Sequence, residues 1–264
     1  LSVGCATPPH RYEQDELIAA FTAYWATQHH NPARVAQLHQ AVQVGGRNLA
    51  LPMEDYLGMD FSQANDAFIR VGTDIGAQAI QQALTAAGLT ARDVDAIFFT
   101  TVTGIAAPSI DARLVNRLGF RTDIKRIPIF GLGCVAGTAG IARVADFLRG
   151  WTDKVAVLLS VELCSLTLQR ADLSIPNLIA SGLFGDGSAA VVAVGRDHPR
   201  FNQQQTGPKI LASQSRFYPD TERVMGWDIG SSGFKIVLSA EVPAMVSRHI
   251  ADDVSGFLEL HGIQ

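Results

Sequence analysis

The sequence predicts an α/β protein in which helices cover a sheet on both faces. Short apolar runs alternate along the chain with stretches at helical spacing, and this alternation is typical of layered α/β domains. The run 155–161 is almost entirely apolar, as expected for a strand that is buried on both faces. The 264 residues, 47% of them hydrophobic, suffice for one large domain or two small ones with a sizeable core.

The first part of the chain favours helices. Apolar residues recur at helical spacing over 13–25, and Pro32 is placed to open a second, shorter helix. A long helix follows, with Asn65 as the predicted N-cap and Gly88 just beyond its end. These features predict three helices before the first strongly apolar strand.

Strands and helices then alternate. The predicted strands and helices are a strand at 95–102, a helix from Pro108 to Gly119, a buried strand at 127–130, a strand at 155–161, the end of a helix at 178–184 and a buried strand at 189–194. Gly185-Asp186-Gly187 is predicted to form a tight turn. After a polar linker at 196–208, the chain predicts strands at 210–215 and 234–239 and a helix at 241–260.

Cys134 occupies the position in the chain best suited to a nucleophile. It follows the 127–130 strand and a Gly-Leu-Gly turn, and small or apolar residues at helical spacing come directly after it. Unpaired N–H groups and the helix dipole at such a helix start favour a thiolate. The alternative is a small buried cysteine in a tight turn, which is a common role for free cysteine.

The glycines around Cys134 do not form a dinucleotide fingerprint. Gly131-Leu-Gly133-Cys-Val-Ala-Gly137 has one residue too many for G-x-G-x-x-G, and no suitably placed acidic residue follows. We expect Gly137 and Gly140 to let the helix pack closely against a neighbour, because they present no side chain there.

Composition excludes several other classes of protein. The net charge of −4 leaves no basic footprint for nucleic acid or an anionic membrane. Three cysteines form no disulfide framework and suggest a reducing compartment, so we expect a cytoplasmic protein. The sequence shows no apolar run of membrane-spanning length and no signal peptide.

Several colinear segments resemble the type III polyketide synthases, the chalcone synthase-like enzymes of bacterial type. The central one is Gly131-Leu-Gly-Cys-Val-Ala-Gly137. The others are Pro8–Tyr12, Arg47–Pro52, Thr103–Ser109, Ser160–Leu166, Leu183–Gly187 and Met225–Gly230. The resemblance covers nearly the whole chain, and the set of motifs is far more specific than any one of them.

The resemblance implies a thiolase-like, layered αβαβα fold. In such a fold two similar halves each contain a mixed sheet with helices. Residues 1–195 would form a complete first half that carries the nucleophilic cysteine, and residues 196–264 a linker and only the beginning of the second half.

The resemblance also implies an activity and a site. Cys134 would take an acyl group from an acyl-CoA starter, malonyl-CoA would extend it by decarboxylative condensation, and the product would cyclise to a pyrone or an aromatic ring. No cofactor or metal is implied, because coenzyme A thioesters are the substrates. The implied pocket residues are Cys164, Thr167, Phe184, Trp227 and Phe234. Arg47 would meet a phosphate of coenzyme A, with a solvated surface arginine as the alternative. A homodimer is implied as well.

The sequence departs from the family at its end. The catalytic histidine of the family belongs to a His-Pro-Gly-Gly-Pro segment, which the 264 residues do not contain, and its asparagine follows later. We therefore expect a chain truncated at its C-terminus. A ketoacyl synthase III-type enzyme and a non-catalytic remnant stay as alternatives. Because Cys164 and Thr167 are small, the sequence favours a fatty acyl starter over a malonyl-only aromatic product.

Overall fold

The structure, a computed structural model, describes residues 1–26, 31, 33–201 and 207–263. Its strands, numbered in chain order, are β1 (Ser2–Ala6), β2 (His10–Glu13), β3 (Gly46–Leu49), β4 (Ala96–Thr101), β5 (Lys125–Phe130), β6 (Val155–Leu163), β7 (Asp186–Val194), β8 (Met225–Gly230) and β9 (Gly233–Leu238). Its helices are α1 (Gln14–Trp25), α2 (Ala33–Ala41), α3 (Phe61–Ala87), α4 (Ile110–Leu118), α5 (Ala136–Gly150), α6 (Ile175–Leu183) and α7 (Val242–Leu260). The predicted role of Pro32 lies outside the described residues, as does the middle of the predicted linker.

Five strands form a mixed sheet in the order β1-β7-β6-β4-β5. β4 runs parallel to both β5 and β6, whereas β7 runs antiparallel to β6 and β1. The pairs β2–β3 and β8–β9 are separate two-stranded antiparallel sheets. The connections from β4 to β5 and from β5 to β6 contain α4 and α5, as parallel strands require a crossover.

Helices cover both faces of the five-stranded sheet. α3 buries one side of its length, including Phe68, Ile75 and Ile80, against one face, in a core that also contains Leu159 of β6. On the other face, Val144 and Leu148 of α5 lie in a core with Phe98 of β4. All six residues of β4 are buried, which agrees with the predicted two-sided burial of the central strands.

The N-cap of the long helix α3 lies five residues earlier than predicted. Its N-cap is Asp60, whose carboxylate accepts a hydrogen bond from Gln63 N at 2.8 Å, while the Gln63 side chain accepts from Asp60 N at 2.9 Å. This reciprocal capping box fixes the start, so Asn65 is not the N-cap. Asn65 instead bonds both backbone groups of Ile105, at 2.8 Å each. The predicted end is confirmed, because Gly88 is the left-handed C-cap.

Three predictions about strands are wrong. β5 is an edge strand rather than a buried one, and Phe130 is exposed. Gly185-Asp186-Gly187 is no turn, because Asp186 begins β7 and pairs with Leu163 of β6. The segment 210–215 forms no strand, whereas the unpredicted β8 pairs with β9.

The residues after 207 are covered far less than those before 195. The segment 207–224 contains no helix or strand, and α7 has no buried residue. Val246, Ile250 and Val254, on the predicted apolar side of α7, are about half exposed. Among the described residues no helix combines the length and hydropathy that crossing a bilayer requires.

Candidate active site

Cys134 lies at the junction of a strand and a helix, as the sequence predicts. β5 ends at Phe130, a 3-10 turn spans Gly133–Val135, and α5 follows at once from Ala136. Gly131 and Gly133 have φ values of 97° and 58°, which side chains rarely tolerate, so the two glycines make this turn possible. The thiol is exposed and forms no disulfide. Its position at a helix start is confirmed, and its role as nucleophile stays a prediction.

α5 is seated against the sheet at Gly140. A Cβ atom there would lie 2.6 Å from Cδ1 of Leu158 on β6, so any side chain would push the helix and the strand apart. The close packing predicted for Gly140 is therefore confirmed. It is wrong for Gly137, because a Cβ there would meet nothing within 4 Å. Gly140 thus lets α5 lie close against β6, about one turn beyond the start of the helix at the Cys134 turn.

Cys164 differs from Cys134 in its surroundings. It begins the 3-10 turn Cys164–Thr167 that follows β6, and the Thr167 hydroxyl donates to its carbonyl oxygen at 2.7 Å. Burial raises the pKa of the Cys164 thiol well above its ordinary value, and the charges of Asp186 and Glu162 raise it further. A thiol in this state is a poor nucleophile. The contrast supports the choice of Cys134 over Cys164.

A cavity of about 610 Å³ adjoins Cys164. Four of the five predicted pocket residues line it: Cys164, Thr167, Phe184 and Trp227. Arg47 lines it as well. Wall residues that were not predicted include Ala20, Phe21 and Tyr24 on α1, Met53 and Tyr56 in the segment after β3, Ala180 and Ser181 on α6, and Ile236 on β9. Most of the wall is apolar, so the space suits a long apolar or aromatic group.

Phe234 does not line this cavity, contrary to the prediction. Its side chain is 2% exposed and lies one layer behind the wall. Its ring packs edge-to-face on Trp227, with centroids 6.1 Å apart, and on Phe61 at the start of α3, at 5.8 Å. Phe234 therefore supports Trp227 from behind, and of these two rings only Trp227 lines the cavity.

Arg47 is a buried cation rather than a solvated surface arginine. It is 6% exposed, and its Nη1 donates to the carbonyl oxygen of Phe184 at 2.8 Å. Burial lowers the pKa of Arg47 to about 10, and the nearby Asp186 and Cys164 act in the opposite direction. Nε and Nη2 are sealed from solvent and have no hydrogen-bond partner. Contact with a coenzyme A phosphate stays an untested prediction, and the geometry favours an internal role instead.

Asp186 is the centre of a buried hydrogen-bond network. Its carboxylate accepts from Ala50 N at 2.6 Å, from Ser165 N at 2.8 Å and from the Ser165 hydroxyl. Since the Ser165 proton points to Asp186, the Tyr56 hydroxyl donates to Ser165 Oγ at 2.6 Å. Burial raises the pKa of Asp186 to about 6, while these bonds and Arg47 lower it. The network joins β3, β7 and the turn that carries Cys164.

Glu162 is a structural acceptor, as predicted. Its carboxylate accepts from Val102 N at 3.1 Å and from the Thr103 hydroxyl at 2.7 Å. Burial raises the pKa of Glu162 to about 7, and the hydrogen bonds from Thr103, Val102 and Thr101 oppose this rise. Glu162 thereby holds the end of β4 beside the end of β6.

Comparison with known proteins identifies the family. Residues 1–198 match the family described as chalcone and stilbene synthases, N-terminal domain. A 1,3,6,8-tetrahydroxynaphthalene synthase of Streptomyces peucetius subsp. caesius is 49% identical over 99% of this chain and 69% of its own length. A putative chalcone synthase of Bacillus subtilis (strain 168) is 34% identical over 99% of this chain and 73% of its own length.

Structural comparison agrees. The crystal structure of 1,3,6,8-tetrahydroxynaphthalene synthase from Streptomyces coelicolor A3(2), a bacterial type III polyketide synthase, matches with a TM-score of 0.90 and 32% identity over 99% of this chain and 73% of the other. The chain therefore belongs to the chalcone and stilbene synthase family. Within that family it is a type III polyketide synthase with a thiolase-like fold, which makes it an acyltransferase. The ketoacyl synthase III-type alternative is not favoured by these relatives.

Proposed function

We propose that Cys134 carries the acyl chain during polyketide synthesis. The observation that supports this most directly is the contrast between two thiols: Cys134 is exposed at the start of α5, while Cys164 is half-buried and desolvation raises the pKa of its thiol. The Cys134 thiolate attacks the thioester carbonyl of an acyl-CoA, a new carbon–sulfur bond forms, and coenzyme A leaves as its thiolate. The helix start favours the attacking anion.

Chain growth then uses malonyl-CoA. Loss of carbon dioxide from malonyl-CoA leaves the enolate of acetyl-CoA, whose carbon attacks the thioester carbonyl on Cys134. A carbon–carbon bond forms, the carbon–sulfur bond to Cys134 breaks, and the cysteine leaves as its thiolate. The chain, now two carbons longer, is a coenzyme A thioester and can return to Cys134 for the next extension. After several extensions the chain cyclises to a pyrone or an aromatic ring. No protein-held cofactor is needed, because the thioesters themselves activate the carbonyl groups.

Two product classes remain as candidates. The names of the relatives favour an aromatic product of the 1,3,6,8-tetrahydroxynaphthalene type, and we place it first. The fatty acyl starter favoured by the sequence is the second candidate, supported by the apolar cavity of about 610 Å³. Each methylene group buried there would contribute about 0.8 kcal/mol, so a long tail could bind tightly.

We also propose a homodimer in the cytoplasm. β5 is an unpaired edge of the five-stranded sheet, and the exposed side chains of Phe130, Leu132 and Val135 lie at its end and in the turn beside Cys134. A second copy could cover this apolar edge. The three cysteines are all free thiols, which suits a reducing compartment.

The test combines trapping and product analysis. The full-length protein is incubated with malonyl-CoA alone and with a series of acyl-CoA starters, and products and acylated peptides are identified by mass spectrometry. We expect acyl label on the Cys134 peptide, no label in Cys134→Ala, and label retained in Cys164→Ala. Label on Cys164 in the unmodified protein would overturn the assignment, and aromatic product from malonyl-CoA alone would decide for the first product class.

A further inference from the structure

The β8–β9 hairpin forms one wall of the cavity without belonging to the main sheet. Trp227 of β8 and Ile236 of β9 pair across the hairpin, and both line the cavity. The hairpin pairs with no strand of the five-stranded sheet, and the preceding segment 207–224 has no helix or strand. The place of this wall therefore depends on individual side-chain contacts.

Gln169 supplies such a contact. Its side-chain nitrogen donates to the carbonyl oxygens of Ser232, at 2.9 Å, and Phe234, at 3.2 Å. It also approaches the carbonyl oxygen of Thr167 at 3.4 Å. Gln169 follows the Cys164–Thr167 turn by two residues, so one amide joins the hairpin to this turn, which also lines the cavity.

The hairpin carbonyls that Gln169 binds belong to the residues on either side of Gly233. Here the chain approaches Phe61 so closely that a Cβ on Gly233 would lie 2.9 Å from Cδ2 of that ring. Phe61 packs on Phe234, and Phe234 packs on Trp227. A shift of the backbone at Phe234 is therefore passed directly to the indole ring of Trp227.

We propose that Gln169 is a positioning residue that determines how far the cavity extends toward Trp227. By holding the hairpin against the Cys164–Thr167 turn, its amide fixes the wall formed by Trp227 and Ile236. This wall limits the length of chain that the cavity accepts. The proposal deepens the polyketide synthase function proposed above and rests on it for its effect on products.

A second link between the same two regions provides a matched control. Lys235 of β9 forms an ion pair with Asp172 at 3.4 Å, and the lysine side chain is about half exposed. The Lys235 ammonium can be hydrated, and the Asp172 carboxylate, although only 14% exposed, keeps the hydrogen bond from Ser174 N at 2.9 Å when the lysine is removed. Loss of Lys235 should therefore leave the wall in place, although it lies next to Phe234.

The test uses Gln169→Met, which keeps the length of the side chain and removes the donor, and Gln169→Glu, which turns a carboxylate toward two carbonyl oxygens. Lys235→Met is the control. The chain contains three tryptophans, so the fluorescence of Trp227 has to be isolated. Each variant is therefore also prepared with Trp227→Phe, and the emission of this second protein is subtracted before quenching by acrylamide is evaluated. Products from malonyl-CoA, with and without an acyl-CoA starter, are measured in parallel.

We expect both Gln169 variants to increase the quenching of Trp227 fluorescence. The increase should be larger in Gln169→Glu than in Gln169→Met. The ratio of long to short products should rise about fivefold, a change of the order that the net contribution of a typical hydrogen bond produces, because the loosened wall no longer limits chain length. The rate of malonyl-CoA consumption should fall less than about twofold, because the Cys134 turn is untouched. Lys235→Met should leave quenching and product ratio unchanged.

Unchanged quenching in both Gln169 variants would overturn the proposal, and so would an equal effect of Lys235→Met. A product shift without a change at Trp227 would also overturn it, because Gln169 would then act by another route. If the unmodified full-length protein consumes no malonyl-CoA, the proposed function fails, whereas the quenching experiment still decides whether Gln169 positions the hairpin.

Discussion

Residues 1–195 and residues 207–263 differ in how they bury their apolar surface. In the first region the five-stranded sheet has helices on both faces, and the central strand β4 is buried at every residue. In the second region α7 buries none of its residues, and the two-stranded β8–β9 hairpin packs on the first region mainly through Phe234 and Ile236. Residues 1–195 therefore contain their own hydrophobic core, whereas residues 207–263 contribute few buried side chains and pack on the surface of that core.

The cavity lies between these two kinds of structure. Its Cys164 side is built on β6 and fixed by two carboxylates. Asp186 accepts from the backbone N–H groups of Ala50 and Ser165, and Glu162 accepts from Val102 N and the Thr103 hydroxyl. The Trp227 side of the cavity is built on the hairpin. We infer that changes in the first region alter stability, and that changes in the hairpin alter the shape of the cavity at little cost in stability.

The largest loss is expected at Asp186. Both of its oxygens only accept hydrogen bonds, from Ala50 N, Ser165 N and the Ser165 hydroxyl. Asp186→Asn would turn an NH2 group toward these donors and leave Arg47 without its nearby negative charge. We expect the free energy of unfolding to fall by about 3 kcal/mol, measured by urea denaturation at pH 7.5. Asp123→Asn, at an exposed carboxylate, is the control, and a loss below about 1 kcal/mol at Asp186 would contradict the network.

A smaller loss of stability is expected at Gly140 of α5, and Gly137 of the same helix serves for comparison. Gly140→Ala brings a methyl group within 2.6 Å of Leu158, whereas Gly137→Ala meets open space. Alanine favours a helix over glycine by about 1 kcal/mol, so Gly137→Ala should stabilise the protein slightly. Gly140→Ala should be less stable than Gly137→Ala by about 2 kcal/mol, since overpacking outweighs the helix preference. Equal unfolding midpoints in urea would show that α5 can shift away from β6 freely.

Local patterns in the sequence predicted the first region well. The apolar run at 155–161 and the Gly-Leu-Gly turn before Cys134 gave β6 and the start of α5, because both depend on neighbouring residues. Asp186 was missed because Gly-Asp-Gly is a common turn sequence, and only the strand pairing with Leu163 shows that its carboxylate is buried. The apolar run after it was the available signal that Asp186 could begin a strand.

Predictions that depend on distant contacts were less successful. The motif at 225–230 was noted as part of a resemblance, yet nothing in its own residues shows that it pairs with β9. The roles of Phe234 and Gln169 depend on Phe61, Trp227 and Ser232, which are far apart in sequence. The edge position of β5 likewise follows from the order of strands and not from its composition.

Acid should destabilise the first region through His39. The ring is fully buried, its Nε2 donates to the carbonyl oxygen of Leu178 at 3.0 Å, and burial together with Arg47 lowers its pKa from 6.5 to about 4. Between pH 6.5 and about pH 4, His39 is protonated in the unfolded chain but stays neutral in the folded chain. Stability is therefore fully present above pH 6.5 and falls toward pH 4, by up to about 1 kcal/mol per pH unit from this group.

The control for this prediction is His39→Gln, which keeps a donor and does not titrate. Asp186 and Glu162, whose pKa values are raised to about 6 and about 7, contribute the opposite slope in part of the same range. The comparison is therefore between the slopes of unfolding free energy against pH in the two proteins. Identical slopes would mean that His39 stays accessible to protons in the folded state.

The smallest effect is expected on the exposed face of α7. Ile250 is 53% exposed, whereas Ile80 of α3 is fully buried. Ile80→Ala removes three buried carbon atoms and should cost about 3 kcal/mol, because the core cannot close over the space. Ile250→Ala in the same 264-residue chain should cost less than about 0.5 kcal/mol, because its side chain has little contact to lose. The two variants are compared by urea denaturation with far-UV circular dichroism, which reports on both helices.

A cost above about 2 kcal/mol for Ile250→Ala would show that another surface covers α7 in solution, and the distinction between a core and an attached region would then fail. If that cost falls on dilution of the protein, the covering surface is a second copy, since only an association depends on concentration.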